Sequence, residues 1–170
     1  AEKVTHSKIT MLNNSILRGG GSIAGFIGEQ IVLSVLGGVW KNSYDYDIIL
    51  DDGKKIEVKT KQTSAVPKLH YDCSISNFNT KQKCDMYAFT RVHKDYSIGW
   101  FLGMLDKKEY FDKAVFMKKG SLDPANGYTV RADCYNVPIS ELRQANGTKK
   151  SYVIFSGSKP AYQWQRRDTV

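Results

Sequence analysis

Cysteine is scarce: Cys73, Cys84 and Cys134 are the only three in 170 residues. Their odd number, wide spacing and lack of any CxxC pair argue against a zinc site or a redox motif, and reduced thiols in a cytosolic setting are the simpler expectation. Histidine is equally sparse. His6, His70 and His93 show no metal-ligand spacing and read as surface or packing residues. A long uninterrupted apolar run is missing too. The stretch Gly19 to Trp40 carries Glu29 as its single charge, but glycines crowd both its ends and Glu29-Gln30 interrupt it, which excludes a membrane span. The first residues, Ala1-Glu2-Lys3, lack the basic, apolar and cleavage regions of an export signal, so an intracellular, cytoplasmic protein is expected. There is no internal repeat, low-complexity block or dividing linker, and 170 residues suit one domain with its own core.

What is abundant is positive charge. Lys and Arg number 25 against 17 Asp and Glu, a formal net charge of +8. Such a balance favours polyanionic partners, the plain alternative being a basic surface kept for solubility.

Periodicity supplies the elements. After Gly19-Gly20-Gly21, Ser22 can cap a helix whose apolar positions Ile23, Ile27, Ile31 and Val35 recur every four residues until Gly37-Gly38 stops it. Tyr44 to Leu50 and Lys55 to Lys61 read as two strands of a hairpin around the turn Asp51-Asp52-Gly53. Leu69 to Ile75 is a third candidate strand, and Asn77 to Lys83 a short helix or loop. Asp85 to Val92 and Tyr96 to Leu105 are rich in strand formers. Lys107 to Phe116 is expected to be helical, Tyr128 to Tyr135 a strand, and Ile139 to Arg143 a short helix before a polar tail.

The hairpin brings chemistry together. A three-residue loop puts Gly53 where a left-handed residue is needed and pairs Leu50 with Lys54, so that Asp47 lies opposite Glu57 and Asp45 opposite Lys59. Paired Cβ atoms are then about 4.5–5.5 Å apart. A two-residue Asp52-Gly53 loop would instead set Asp47 opposite Val58 and dissolve the cluster. Two carboxylates that close repel unless a cation lies between them, and oxygen donors of this kind suit Mg²⁺, with Mn²⁺ as a substitute. Such an ion lowers the pKa of a bound water and neutralises charge on a phosphate. Lys59 projects beside Glu57, where it can orient the water, and the Val58 carbonyl can complete the metal shell. Glu29 stands alone on an apolar helix, where burial without a partner is costly; a metal or a lysine salt bridge would resolve that cost.

These residues resemble the PD-(D/E)XK nuclease superfamily. The helix GFIGEQIVLSVLGG with Glu29 is similar to its first core helix. Asp47 in YDYDIIL looks like the aspartate of its first core strand, Glu57-Val58-Lys59 in KIEVKTK like its (D/E)XK element, and DMYAFTRV like the strand after its second helix. The likeness spans roughly residues 22 to 92. Tyr46 stands where the family signature has proline, and Asp45 competes as the metal-binding aspartate; Asp47 is preferred because it aligns with Glu57 and precedes Ile48-Ile49-Leu50. The resemblance implies an α/β fold with a central mixed β-sheet flanked by helices, a restriction-endonuclease-like core (αβββαβ) over about 22–105 and an elaboration over 106–170. It implies a Mg²⁺-dependent deoxyribonuclease, an endonuclease rather than an exonuclease, in which Glu29, Asp47, Glu57 and Val58 hold the metal and Lys59 assists the attacking water. Double-stranded DNA would be its partner. Cutting both strands takes two active sites, which implies a homodimer, and similarity to small phage-type members implies a phage-encoded protein in a bacterial host.

Lys61 shares the face of Lys59, and Gln62 follows; both can touch a phosphate, a solvated strand end being the plainer explanation. Lys81, Lys83, Lys118, Lys119, Lys149, Lys150, Arg166 and Arg167 can supply a phosphate-binding surface, and Tyr162 and Trp164 can stack on bases or pack on the domain. Ser74, Ser76 and Asn77 can line a DNA groove or simply form a turn. The competing class is a DNA-binding module that keeps the nuclease fold without cleavage. An exposed charged hairpin that binds an acidic protein is a third possibility.

Overall fold

Residues 23–41, 43–124 and 127–145, with the backbone of 151–156 and 165–168, are described by a computed structural model. The first helix among the described residues, α1 (Ile23–Leu36), buries Ala24, Phe26, Gly28, Ile31 and Val32. Its end is set by Gly37, at φ 75°, whose N–H donates to the Leu33 carbonyl at 2.8 Å, a left-handed cap that satisfies an orphan carbonyl. The expected cap Ser22 lies outside the described residues.

Among the described residues ten strands follow: β1 (Val39–Trp40), β2 (Ile48–Ile49), β3 (Lys55–Thr63), β4 (Asp72–Ser76), β5 (Met86–His93), β6 (Ile98–Asp106), β7 (Val115–Met117), β8 (Cys134–Pro138), β9 (Ser151–Ser156) and β10 (Gln165–Asp168). A second helix, α2 (Lys107–Lys113), separates β6 from β7. Seven strands form a mixed sheet in the order β1-β2-β3-β5-β6-β9-β10, and β4-β8-β7 form a smaller one. Within the large sheet only β3 and β5 are parallel, Glu57 pairing with Tyr87 and Lys61 with Arg91. The chain is therefore α/β, with a mixed sheet as expected.

Strand alternation divides the core in two. On one face of the large sheet, Ile48, Ile56, Val58, Ala88 and Phe101 pack against α1. On the other, Tyr87, Phe89, Trp100 and Leu102 meet Cys73, Ile75 and Val137 of the small sheet and Tyr110 of α2. α1 lies unusually close to its sheet: a Cβ on Gly28 would stand 1.9 Å from Thr60 Oγ1 and 2.5 Å from Thr90 Oγ1. All three cysteines are free thiols. Among the described residues, no helix is long and apolar enough to cross a membrane.

Several expected boundaries move. The strand anticipated over Tyr44 to Leu50 shrinks to Ile48–Ile49, because Ser43 turns the chain back by bonding the Tyr46 carbonyl through both its N–H (3.0 Å) and its Oγ (2.7 Å). The helix anticipated to Phe116 stops at Lys113, since Val115 and Phe116 pair with Asn136 and Tyr135 on β8. The strand anticipated from Tyr128 begins only at Cys134; before it, Thr129 makes an isolated bridge to Leu122. The strand anticipated over Leu69 to Ile75 is Asp72–Ser76 and belongs to the small sheet. Where the αβββαβ order has its second helix, the chain carries β4 and a single 3-10 turn, Asn77–Asn79.

Candidate active site

The hairpin register places the acidic residues. Ile48 pairs with Ile56 and Ile49 with Lys55, and across the three-residue loop the Leu50 carbonyl accepts from the Gly53 N–H while the Leu50 N–H donates to the Lys54 carbonyl, each at 2.9 Å, with Gly53 at φ 86°. The same register carried one step on sets Asp47 opposite Glu57. There the ladder ends. The Asp47 N–H still reaches the Ile56 carbonyl at 2.9 Å, but the next donor on β3, the Val58 N–H, is taken by Asp47 Oδ2 at 2.9 Å. Because a strand residue points its N–H and C=O to the same edge, the Val58 carbonyl also faces the gap that the short β2 leaves open.

Glu29 reaches the same gap from α1. Its Oε2 accepts from Trp40 Nε1 at 2.7 Å, and its carboxyl hydrogen-bonds Asp47. No ion pair to Glu29 occurs among the described residues, so the lysine salt bridge that would have explained its burial is absent there. Asp47 and Glu57 are each only 7% exposed. Burial raises the Asp47 carboxyl to about 7, helped by the neighbouring Glu29 charge. Glu57 is likewise raised to about 7 by burial and then by Asp47, against the opposing pull of Lys59. Glu29 is raised as well, chiefly by burial, with the Trp40 indole pulling the other way.

Lys59 stands where expected, its Nζ 3.1 Å from Glu57 Oε1. A residue that sequence reasoning passed over completes the arrangement. Gln82, 5% exposed, accepts from Lys59 Nζ at 3.0 Å through Oε1 and donates through Nε2 to Glu57 Oε1 (3.1 Å) and to the Tyr44 carbonyl (2.7 Å). Nothing in a polar turn between two lysines marks this glutamine, whose burial comes from the crossover between β3 and β5. Trp40 was missed in the same way. Two of the three Lys59 donors are thus occupied; the third has no partner among the described residues. Glu57 Oε2 is buried with no hydrogen-bond partner, an orphaned acceptor beside two other carboxyls. Among the described residues, no group of three or more His, Cys, Asp or Glu side chains is already arranged to hold a metal ion.

The remaining candidates divide. Asp45 is not opposite Lys59: after the Ser43 turn its Oδ1 accepts the Lys83 N–H at 3.0 Å, which removes it as the competing aspartate. Lys61 follows Lys59 on the same face of β3 and lies over the Tyr128 ring at 5.7 Å. Gln62 points to the opposite face and donates to the Tyr96 hydroxyl at 3.3 Å. Lys81 is exposed on the turn before Gln82. Arg166 and Arg167 sit on β10, at the opposite edge of the large sheet from β1, with β5, β6 and β9 between them and β3. Their side chains, with Lys149, Lys150, Tyr162 and Trp164, lie outside the described residues. Ser74 and Ser76 do line a groove, beside Lys59, Lys61 and Arg91.

No protein-family model matches the chain, and no curated protein matches it.

Proposed function

We propose that the chain is a divalent-metal-dependent deoxyribonuclease whose active site is the gap at the open end of β2. One observation carries the reading: three carboxyls from three elements, half-buried Glu29 on α1 and buried Asp47 beside β2 and Glu57 on β3, come together beside a lysine. Burying one uncompensated carboxylate is expensive, and three in contact are tolerated only if protons or a cation neutralise them. The orphaned Glu57 Oε2 and the Val58 carbonyl edge supply further oxygen donors, and an all-oxygen set suits Mg²⁺ or Mn²⁺.

When bound, the cation supplies Lewis-acid neutralisation of the phosphate and acidifies a water. The protein's own groups do the rest. Asp47 and Glu57 deprotonate as the pH passes about 7 and present their oxygens to the gap. Lys59, steadied by Gln82, directs its remaining N–H donor to the water or to a phosphate oxygen, where charge grows in the transition state. Glu29 holds Asp47 from the helix side while the Trp40 indole fixes the Glu29 carboxyl. The restriction-endonuclease-like likeness rests on this constellation and on the order helix, hairpin and parallel strand.

Plasmid incubated with the protein and Mg²⁺ should be nicked or linearised, and Lys59→Ala or excess chelator should abolish the cutting. Binding of DNA by both proteins without cleavage by either would sink the reading in favour of a non-catalytic DNA-binding module.

A further inference from the structure

Beyond the carboxyls, the face of β3 that bears Glu57 and Lys59 continues into a groove of about 570 Å³ between the large and small sheets. Lys59 lines the near end of the groove while bonding Glu57, so the groove opens directly from the proposed reaction site. Along it stand three more cations, Lys61, Arg91 and Arg131. Its acidic lining is smaller, Asp72 and Asp123 standing against Lys59, Lys61, Arg91 and Arg131. Lys61 (5.7 Å) and Arg131 (5.9 Å) each stand near the Tyr128 ring, which is 45% exposed. Arg91 is held over Tyr71 at 5.2 Å and donates to the Asp72 carbonyl at 3.1 Å, which fixes a buried positive charge in the floor.

From these observations, and resting on the nuclease reading above, we infer that the groove seats an unpaired DNA strand leading into the active site. Cations spaced along a groove with aromatic faces between them are what a single strand needs, phosphates meeting the former and a base stacking on the latter. A duplex offers no such face, because its bases are stacked on one another and must be unstacked before a side chain can stack on them. The preferred substrate is therefore DNA with an unpaired stretch, whether at a free end, a flap, a gap or a melted segment of supercoiled plasmid, which enters beside Lys59.

The test uses fluorescence anisotropy in chelator, where cleavage plays no part, with a mixed-sequence oligonucleotide offered unpaired or as a blunt duplex. The unpaired form should bind at least tenfold more tightly. Tyr128→Ala should weaken it by roughly 5- to 150-fold, the range for loss of one stacked base, while Tyr128→Phe retains binding and all variants melt as the parent does. Lys61→Ala and Arg131→Ala should each flatten the logarithmic salt dependence by about 0.7. Equal or tighter binding of the blunt duplex, full competition by a mononucleotide, or parental affinity in Tyr128→Ala and Lys61→Ala would overturn the inference. The two readings fail separately. If neither plasmid nor a gapped or flapped duplex is cut in Mg²⁺ but the unpaired strand is held as described, the nuclease reading falls and the groove stands. If DNA is cut and the groove variants bind as the parent does, the reverse holds.

Discussion

Asp47 carries two demands that conflict. Its Oδ2 closes the backbone ladder by accepting the Val58 N–H, and its charge crowds Glu29 and Glu57. Asparagine keeps the first and removes the second. Asp47→Asn is therefore expected to melt at a higher temperature than the parent at pH 8 in chelator, because each tenfold rise in proton affinity on folding costs about 1.4 kcal/mol once the group must ionise. Cleavage should be lost at the same time, the trade between stability and activity that a strained site entails. A melting curve that drops in Asp47→Asn would refute the crowding. Gln82 plays a positioning role, and a pH profile separates that from mere packing. Its N–H lowers the Glu57 carboxyl, so Gln82→Ala should move the acidic limb of the pH–rate curve upward and cut the rate roughly 10- to 100-fold, the usual cost of losing a partner of a metal ligand. An unshifted limb would leave Gln82 a packing residue only.

Among the elements, the seam between α1 and the sheet is the most exacting. Alanine in a helix interior is normally favoured over glycine by about 1 kcal/mol, yet a methyl on Gly28 would overlap the Thr60 and Thr90 hydroxyls, which lie 2.7 Å from each other beneath it. Overpacking of this kind costs about 1–3 kcal/mol, so packing should win over propensity. Gly28→Ala is expected to melt several degrees lower and, by pushing α1 outward, to lose activity through the adjacent Glu29. Adding Thr60→Ala should restore part of both, and a fully additive pair would count against the shared contact. Much of this was legible in advance. The four-residue apolar period gave α1 its span, and the Asp51-Asp52-Gly53 loop fixed a register that put Asp47 opposite Glu57. What escaped was set by tertiary contacts. The Ser43 turn that removes Asp45 from β2, the pairing of Val115 and Phe116 with β8, and the burial of Gln82 under the crossover have no local periodic signal.

At the scale of the whole molecule, the buried carboxyls tie stability to pH and to metal in opposite senses. Asp47 and Glu57 have ordinary values of 3.8 and 4.5 when unfolded and about 7 when folded. A raised value means that the folded state holds the proton more tightly. Their contribution to stability is thus fully present below about pH 4 and is lost as the pH rises through about 7. In chelator the melting temperature should fall between pH 5 and pH 8, with roughly 2–4 °C for each kcal/mol in a chain of this size. A cation that binds the ionised carboxyls reverses the loss. At a concentration a hundredfold above its dissociation constant it adds about 2.7 kcal/mol, or roughly 5–10 °C by the same scaling. The increment from Mg²⁺ should therefore be large at pH 8 and near zero at pH 5, where protons already occupy the site, and it should disappear in Asp47→Asn combined with Glu57→Gln. Thermal melts in chelator and in Mg²⁺ across that range measure the difference directly; coincident curves at pH 8 would leave the carboxyls without a cation to hold and remove the physical basis for hydrolysis at this site.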